Sequence, residues 1–239
     1  MIPSYFEREA LLIGEDNVKL LMNTSVAIFG AGGVGSYVIE GLVRAGVGKI
    51  TVVDNDTVSE SNINRQLIAD TSTVGKYKAE VAVERAKRIN PEINAVAINT
   101  FVTRENAREV LDSIDADYIV DAIDTVSAKL AIIEYATENN IKIISSMGTG
   151  NKLDPTRLKV SDISKTSVCP LARVMRQELK KRRITKLNVL WSDEEPVKNA
   201  DGESPVIKAD GRNAPGSISF VPSVGGLIIA AHVVKDIIK

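Results

Sequence analysis

The chain has 239 residues, 44% of them hydrophobic and 26% charged, enough for one sizeable globular domain of ordinary composition. One Cys, Cys169, and one His, His232, exclude a disulfide framework, a zinc site built from several thiolates and any mechanism that needs two imidazoles. Thirty basic against 31 acidic residues leave a net charge of -1, a total that speaks against a nucleic-acid binder.

The N-terminal MIPSYFEREALLIGED carries charges where a secretory signal would be apolar, so no signal is expected. The apolar run 25–29 (SVAIF) reads as a strand that ends in a glycine loop. A helix follows over 34–45, closed by Gly46 and Gly48. Residues 49–53 (KITVV) form a second strand ending at Asp54, and 76–90 a helix stopped by Pro91. Strands over 95–102 and 118–120 flank a helix over 104–114, and a helix over 126–139 leads to a strand at 142–145. Continuous apolar strands alternating with helices predict a doubly wound, mostly parallel α/β sheet of Rossmann type.

Beyond Met147 the pattern loosens. Residues 148–162 read as loop, 170–183 as helix, 187–191 as a short strand and 193–216 as a mobile loop. Residues 217–221 and a terminal helix close the chain. The apolar stretch 224–234 is interrupted by His232 and too short to span a bilayer. We therefore expect one domain over 1–239, with a core at 1–150 and a C-terminal elaboration at 151–239. A cytoplasmic protein follows, with peripheral membrane contact left open.

The loop GAGGVG places Gly30, Gly32, Gly33 and Gly35 between a strand and a helix. Glycines let backbone approach a phosphate, and the helix N-terminus favours its charge. Asp54 and Asp56 of VDND follow, and Asp54 stands where a carboxylate can accept from ribose hydroxyls. Taken alone, these features allow a dinucleotide cofactor or a structural glycine turn. SNINRQ adds Asn62, Arg65 and Gln66, and GKYK adds Lys76 and Lys78. That many cations suit a triphosphate. The P-loop pattern is missing, so attack at the α-phosphate, with pyrophosphate leaving, is the expected transfer. In DAIDT, Asp124 is positioned to hold Mg²⁺, while Asp121 reads as a strand cap, so that one of the pair is functional.

In these motifs, from about Tyr5 to Gly150, the chain resembles the adenylating family of ThiF, MoeB and the ubiquitin-activating enzymes. The resemblance implies ATP as substrate, Asp54 on the ribose, and Asn62, Arg65 and Lys78 on the phosphates. It implies Asp124 as the essential carboxylate near Mg²⁺, and Arg8 reaching across a homodimer into the partner's site. Two departures stand out: Tyr5 replaces the first arginine of the N-terminal motif, and Thr125 replaces an Asn that often follows the last Asp. The zinc-binding CxxC pairs of many members are missing. Cys169, before Pro170 in apolar sequence, reads as a buried structural thiol.

The segments SSMGTGNKLDPT (145–156), SDISKTSVCPLARVMRQELKKR (161–182) and VLWSDEEP (189–196) resemble the tRNA threonylcarbamoyladenosine dehydratase branch of that family. This implies ATP-dependent cyclisation of threonylcarbamoyladenosine at position 37 of tRNA, and a monovalent cation, K⁺ or Na⁺, that no residue locates. The alternative is activation of the C-terminal glycine of a ubiquitin-like sulfur carrier, which would make that carrier or a sulfur-transfer protein the partner. Asn151 and Lys152 stand where they could meet the substrate carboxylate.

Residues 157–186 hold ten basic and two acidic residues, +8, which leaves -9 elsewhere. Arg173, Arg176, Lys180 and Arg183 are spaced 3, 4 and 3 apart, which predicts one basic helix face able to follow RNA phosphates. The competing expectation pairs that helix with acidic residues 193–195. His232 and Trp191 read as structural.

Overall fold

The computed structural model describes residues 2–197 and 215–239. Two short helices, α1 (Glu7–Ile13) and α2 (Glu15–Met22), precede β1 (Ser25–Phe29). There follow α3 (Gly35–Arg44), β2 (Lys49–Val53), α4 (Lys78–Ile89), β3 (Asn94–Ile98), α5 (Ala107–Asp112), β4 (Tyr118–Asp121), α6 (Val126–Glu138) and β5 (Lys142–Ser146). The last third adds β6 (Leu158–Asp162), α7 (Pro170–Lys181), β7 (Asn188–Ser192) and α8 (Phe220–Ile237).

The strands form one seven-stranded sheet in the order β3-β2-β1-β4-β5-β7-β6. Every pair is parallel except β6 with β7. Central β1 and β4 are buried at every position, because helices cover both faces, and this is why they read as unbroken apolar runs. Each large aliphatic side chain buried there contributes roughly 1.5–3 kcal/mol. On one face α8 crosses α3 at close range. A Cβ on Gly226 would stand 2.4 Å from the Val34 carbonyl oxygen, and one on Gly41 would stand 2.6 Å from the Ala230 Cβ. Only glycines permit that crossing, which brings the start of α8 over the glycine loop.

The doubly wound sheet stands as predicted, with four local corrections. The helix expected over 76–90 begins at Lys78, because Tyr77 is extended and bridges to Thr57. The strand expected over 95–102 ends at Ile98. The loop expected over 148–162 contains β6, a half-exposed edge strand. Helices α1 and α2 were not expected from the sequence. Most of the predicted loop at 193–216 lies outside the described residues. Among the described residues, α8 alone is long and apolar enough to cross a membrane by length and composition, more than the 11-residue stretch suggested, and it packs on α3 and the sheet.

Candidate active site

A cleft of about 440 Å³ opens at the carboxyl ends of the parallel strands, where ligands sit in open α/β sheets. Gly30, Gly32, Gly33, Asp54, Asp56, Asn62, Arg65, Gln66, Lys78 and Asp124 all line it. Gly35 stands behind them as the first residue of α3.

The glycine loop is fixed from three sides. Gly30 has φ +93°, and a Cβ there would lie 2.8 Å from the Ala122 carbonyl oxygen, so no side chain fits. Its N–H donates to the Val53 carbonyl at 2.8 Å. Asp54 accepts from the Ala31 N–H at 2.7 Å with one oxygen and from the Asp56 N–H at 2.9 Å with the other. Asp54 therefore shapes the loop, and each oxygen keeps a second lone pair for a ligand hydroxyl. Burial pushes its carboxyl above the usual range, against the opposing pull of Lys78 and the two N–H donors.

The cations come from the next two segments. Asn62 is buried and accepts from the Ser59 N–H at 3.1 Å, which closes a short 3₁₀ turn. The Ser36 hydroxyl, on α3, accepts from the Leu67 N–H at 3.1 Å and moors this segment beside the glycine loop. Arg65 donates to the Ser61 carbonyl at 2.7 Å and to the Asn64 side chain at 2.8 Å. Burial lowers its pKa without removing its charge. Lys78, the first residue of α4, is 7% exposed at its side chain and pairs with Asp56 at 2.7 Å. The Gln66 Oε1 is buried without a partner among the described residues, an acceptor on a cleft-lining residue with a hydrogen bond still to make.

After β4 the two carboxylates separate by environment. Asp121 is fully buried against Lys129 and accepts from the Ser145 hydroxyl at 2.6 Å, so its place is in the core. Asp124 is exposed and lines the cleft.

Several predicted residues lie elsewhere. Lys152 is 4% exposed, and its ammonium donates to the Glu194 carbonyl at 2.6 Å. It is built into the loop and does not line the cleft, contrary to the expectation that it meets the substrate. The basic helix face is narrower than expected. Arg173 and Lys180 are exposed on α7, but Arg176 donates to Thr166. Arg183 lies beyond the helix, in the left-handed region at φ +60°. The competing pairing of this helix with residues 193–195 is also corrected. Asp193 pairs with Arg157, just before β6, and Lys159 of β6, and their hydrogen bonds, that of Lys159 first, hold it down to about 2. Arg8 is exposed on α1 and outside its own cleft. Cys169 and Trp191 are buried, and burial lowers the His232 pKa.

Three contributions were not read from the sequence. Thr100, Phe101 and Val102, after β3, line the cleft. So does Pro222, from the first turns of α8, whose ring a Cβ on Gly33 would meet at 3.2 Å. Lys129 lies beneath the floor, fully buried. Its signal was a lone charge on the apolar face shared with Ile132 and Ile133 of α6.

Residues 6–239 match the ThiF family. The chain is 42% identical over 243 residues to a tRNA threonylcarbamoyladenosine dehydratase of Bacillus subtilis, covering 98% of this chain and 94% of that protein. The Escherichia coli tRNA N6-threonylcarbamoyladenosine dehydratase in complex with ATP superposes with a TM-score of 0.87 at 33% identity, covering 98% of this chain and 93% of that one. The same enzyme has been solved with AMP, at a TM-score of 0.88 and 32% identity over 99% and 96% of the two chains. The adenylyltransferase and sulfurtransferase UBA4 of Saccharomyces cerevisiae is 34% identical over 149 residues, 62% of this chain and 33% of that protein.

Proposed function

The chain belongs to the ThiF family, and from that membership and the cleft we infer that it catalyses the ATP-dependent dehydration of threonylcarbamoyladenosine at position 37 of tRNA. One observation carries this reading over activation of a sulfur carrier. The likeness to the dehydratases runs through the C-terminal third and covers 98% of the chain, whereas the likeness to the carrier-activating enzyme stops at 62%.

The reaction follows from the parts. The threonyl carboxylate is a poor acyl donor because oxide is a poor leaving group. Its oxygen attacks the α-phosphorus of ATP, the bond to the bridging oxygen breaks, and pyrophosphate leaves. The carbamoyl nitrogen of the same side chain then attacks the acyl carbon, loses its proton, and AMP departs. Both reactants of the second step share one side chain, so proximity supplies much of the acceleration and no enzyme nucleophile is required. Arg65, Lys78 and Asn62 would bind the phosphates, and Asp54 the ribose. Lys78 would exchange Asp56 for a phosphate oxygen as ATP enters. The glycine loop brings backbone N–H groups to the same charge.

Asp124 would hold Mg²⁺ together with phosphate oxygens and water. Among the described residues no group of three acidic, His or Cys side chains could cage a metal, and one carboxylate shared with phosphates suits Mg²⁺. When bound, the ion neutralises phosphate charge. A K⁺ or Na⁺ requirement belongs to the same reading. So does a homodimer, in which Arg8 would reach the partner's ATP. The exposed Leu11 and Leu12 beside it, 89% and 84% accessible, support a covered face there. One sheet carrying both parts of the chain supports a single domain over 1–239. A tRNA substrate supports a cytoplasmic location, and the proposed reaction is of the AMP-forming ligase type.

The deciding experiment incubates the protein with ATP and tRNA bearing threonylcarbamoyladenosine, then measures the nucleosides by mass spectrometry. The expected product has lost one water, with AMP and pyrophosphate released in step. No such product, or pyrophosphate release only with a small protein ending in Gly-Gly, would refute the reading.

A further inference from the structure

Lys129 is fully buried, in the first turn of α6, and the mechanism above does not use it. An ammonium has three N–H donors. Here three acceptors surround it: Asp121 Oδ2 at 2.8 Å, the Ile123 carbonyl at 3.1 Å and the Ser146 carbonyl at 2.8 Å. The two carbonyls belong to different loops. Ile123 lies in the turn after β4 that carries Asp124, and Ser146 ends β5, ahead of Met147 and Gly148. All five residues line the cleft. Asp121 completes the knot from below. It takes the Ser145 hydroxyl at 2.6 Å on the oxygen that meets Lys129, and the Ile123 N–H at 3.3 Å on the other.

We propose that Lys129 is a positioning residue that ties the Asp124 turn to the loop after β5 and so sets the spacing between these two walls of the cleft. The chemistry of the knot points to position over stability. Apolar side chains of similar volume often replace a buried ion pair without loss of stability. What an apolar side chain cannot do is donate to two backbone carbonyls from separate loops. β4 and β5 are neighbours in the sheet with parallel register, but backbone pairing ends at Asp121 and Ser145, so beyond the strand ends only Lys129 bridges the loops among the described hydrogen bonds. Adenylation needs the carboxylate oxygen, the α-phosphorus and Asp124 in one geometry, and an error of about 1 Å can cost about a hundredfold in rate.

The proposal rests on the dehydratase reading, and its test separates the two. Lys129→Met alone leaves a buried carboxylate without its cation, so Tm falls by roughly 10 °C. The double variant Lys129→Met/Asp121→Asn removes the charge as well. It should regain most of the Tm yet keep a kcat for AMP formation about tenfold or more below wild type, with KM for ATP changed less than about threefold. Amide hydrogen exchange, measured without substrate, should show faster opening at residues 122–125 and 146–150 in the double variant. Recovery of kcat together with Tm would overturn the proposal, as would unchanged exchange in those loops or failure of the double variant to fold. An inactive wild type would refute the dehydratase reading, and the exchange measurement would still decide the tether.

Discussion

Substitution within the glycine loop separates its packing from its approach to phosphate. A Cβ on Gly35 would fall 1.8 Å from the Gly30 carbonyl oxygen and 2.8 Å from its carbon, where real Cβ atoms essentially never approach below 3.0 Å. The two must part by about 1.2 Å. Gly30 cannot yield, since it is bonded to Val53 at 2.8 Å on one side and crowded by the Ala122 carbonyl on the other. Gly35→Ala therefore moves the α3 N-terminus away from the loop. Overpacking of this kind costs about 1–3 kcal/mol, which for a chain of this size lowers Tm by roughly 3–10 °C. A displacement near 1 Å at the phosphate site should lower kcat/KM about a hundredfold. Gly32→Ala is the contrast. Among the described residues its Cβ meets nothing nearer than the Gln66 Nε2 at 3.8 Å, so Tm should stay within about 2 °C. Because Gly32 lines the cleft, ATP affinity should still fall. Thermal melts and ATP titration calorimetry on both variants decide the matter. Wild-type melting and binding in Gly35→Ala would refute the rigid-loop argument, and wild-type ATP affinity in Gly32→Ala would refute phosphate binding at the loop.

Two further outcomes follow from charge. The Asp54 carboxyl titrates above the ordinary value of about 3.9 because it is buried. Acidification through that raised value protonates an oxygen that must accept, so ATP affinity should fall at a higher pH than an exposed Asp would give. Linkage gives stability the opposite sign. Between the unfolded and folded values the native state holds the proton more tightly, so this group's contribution to stability falls as pH rises. Calorimetry and melts on wild type and Asp54→Asn should show both slopes lost in the variant; a variant that keeps them locates the titration elsewhere. On α7, Arg173 and Lys180 are exposed and, among the described residues, have no ion-pair partner. Replacing both with Ala should lower the slope of log affinity for tRNA against log salt by up to about 1.8, or about 0.9 for each phosphate no longer neutralised. An unchanged slope would remove α7 from the RNA surface. Arg176 is unsuited to that test because its bond to Thr166 serves the loop before α7.

The ease with which the nucleotide half was read has a topological cause. Three of its motifs stand at the ends of parallel strands, GAGGVG at β1, VDND at β2 and DAIDT at β4, while SNINRQ and GKYK lie on the segment between β2 and α4. A doubly wound sheet carries all strand ends to one edge, so local patterns suffice to assemble the cleft once the strands are recognised. Lys152 obeyed the same rule, standing after β5, and the rule failed because strand order fixes where a residue begins but not where its side chain turns. Its ammonium is captured by a carbonyl 42 residues away, on a segment whose approach no local pattern records. β6 was missed for a related reason. It is an edge strand paired antiparallel to a strand that comes later in the chain, its half-exposed sequence LKVSD lacks the apolar run of a buried strand, and the β7 it needs lies beyond a helix. Lys129 marks the boundary between the two cases. The sequence displayed it as a charge among the apolar residues of α6, yet its meaning depends on two loops reaching it together, one six and the other 17 residues away. A lone charge on an otherwise buried helix face is therefore the local trace that a non-local polar contact leaves in a sequence, and it is worth following before the more visible lysines on loops.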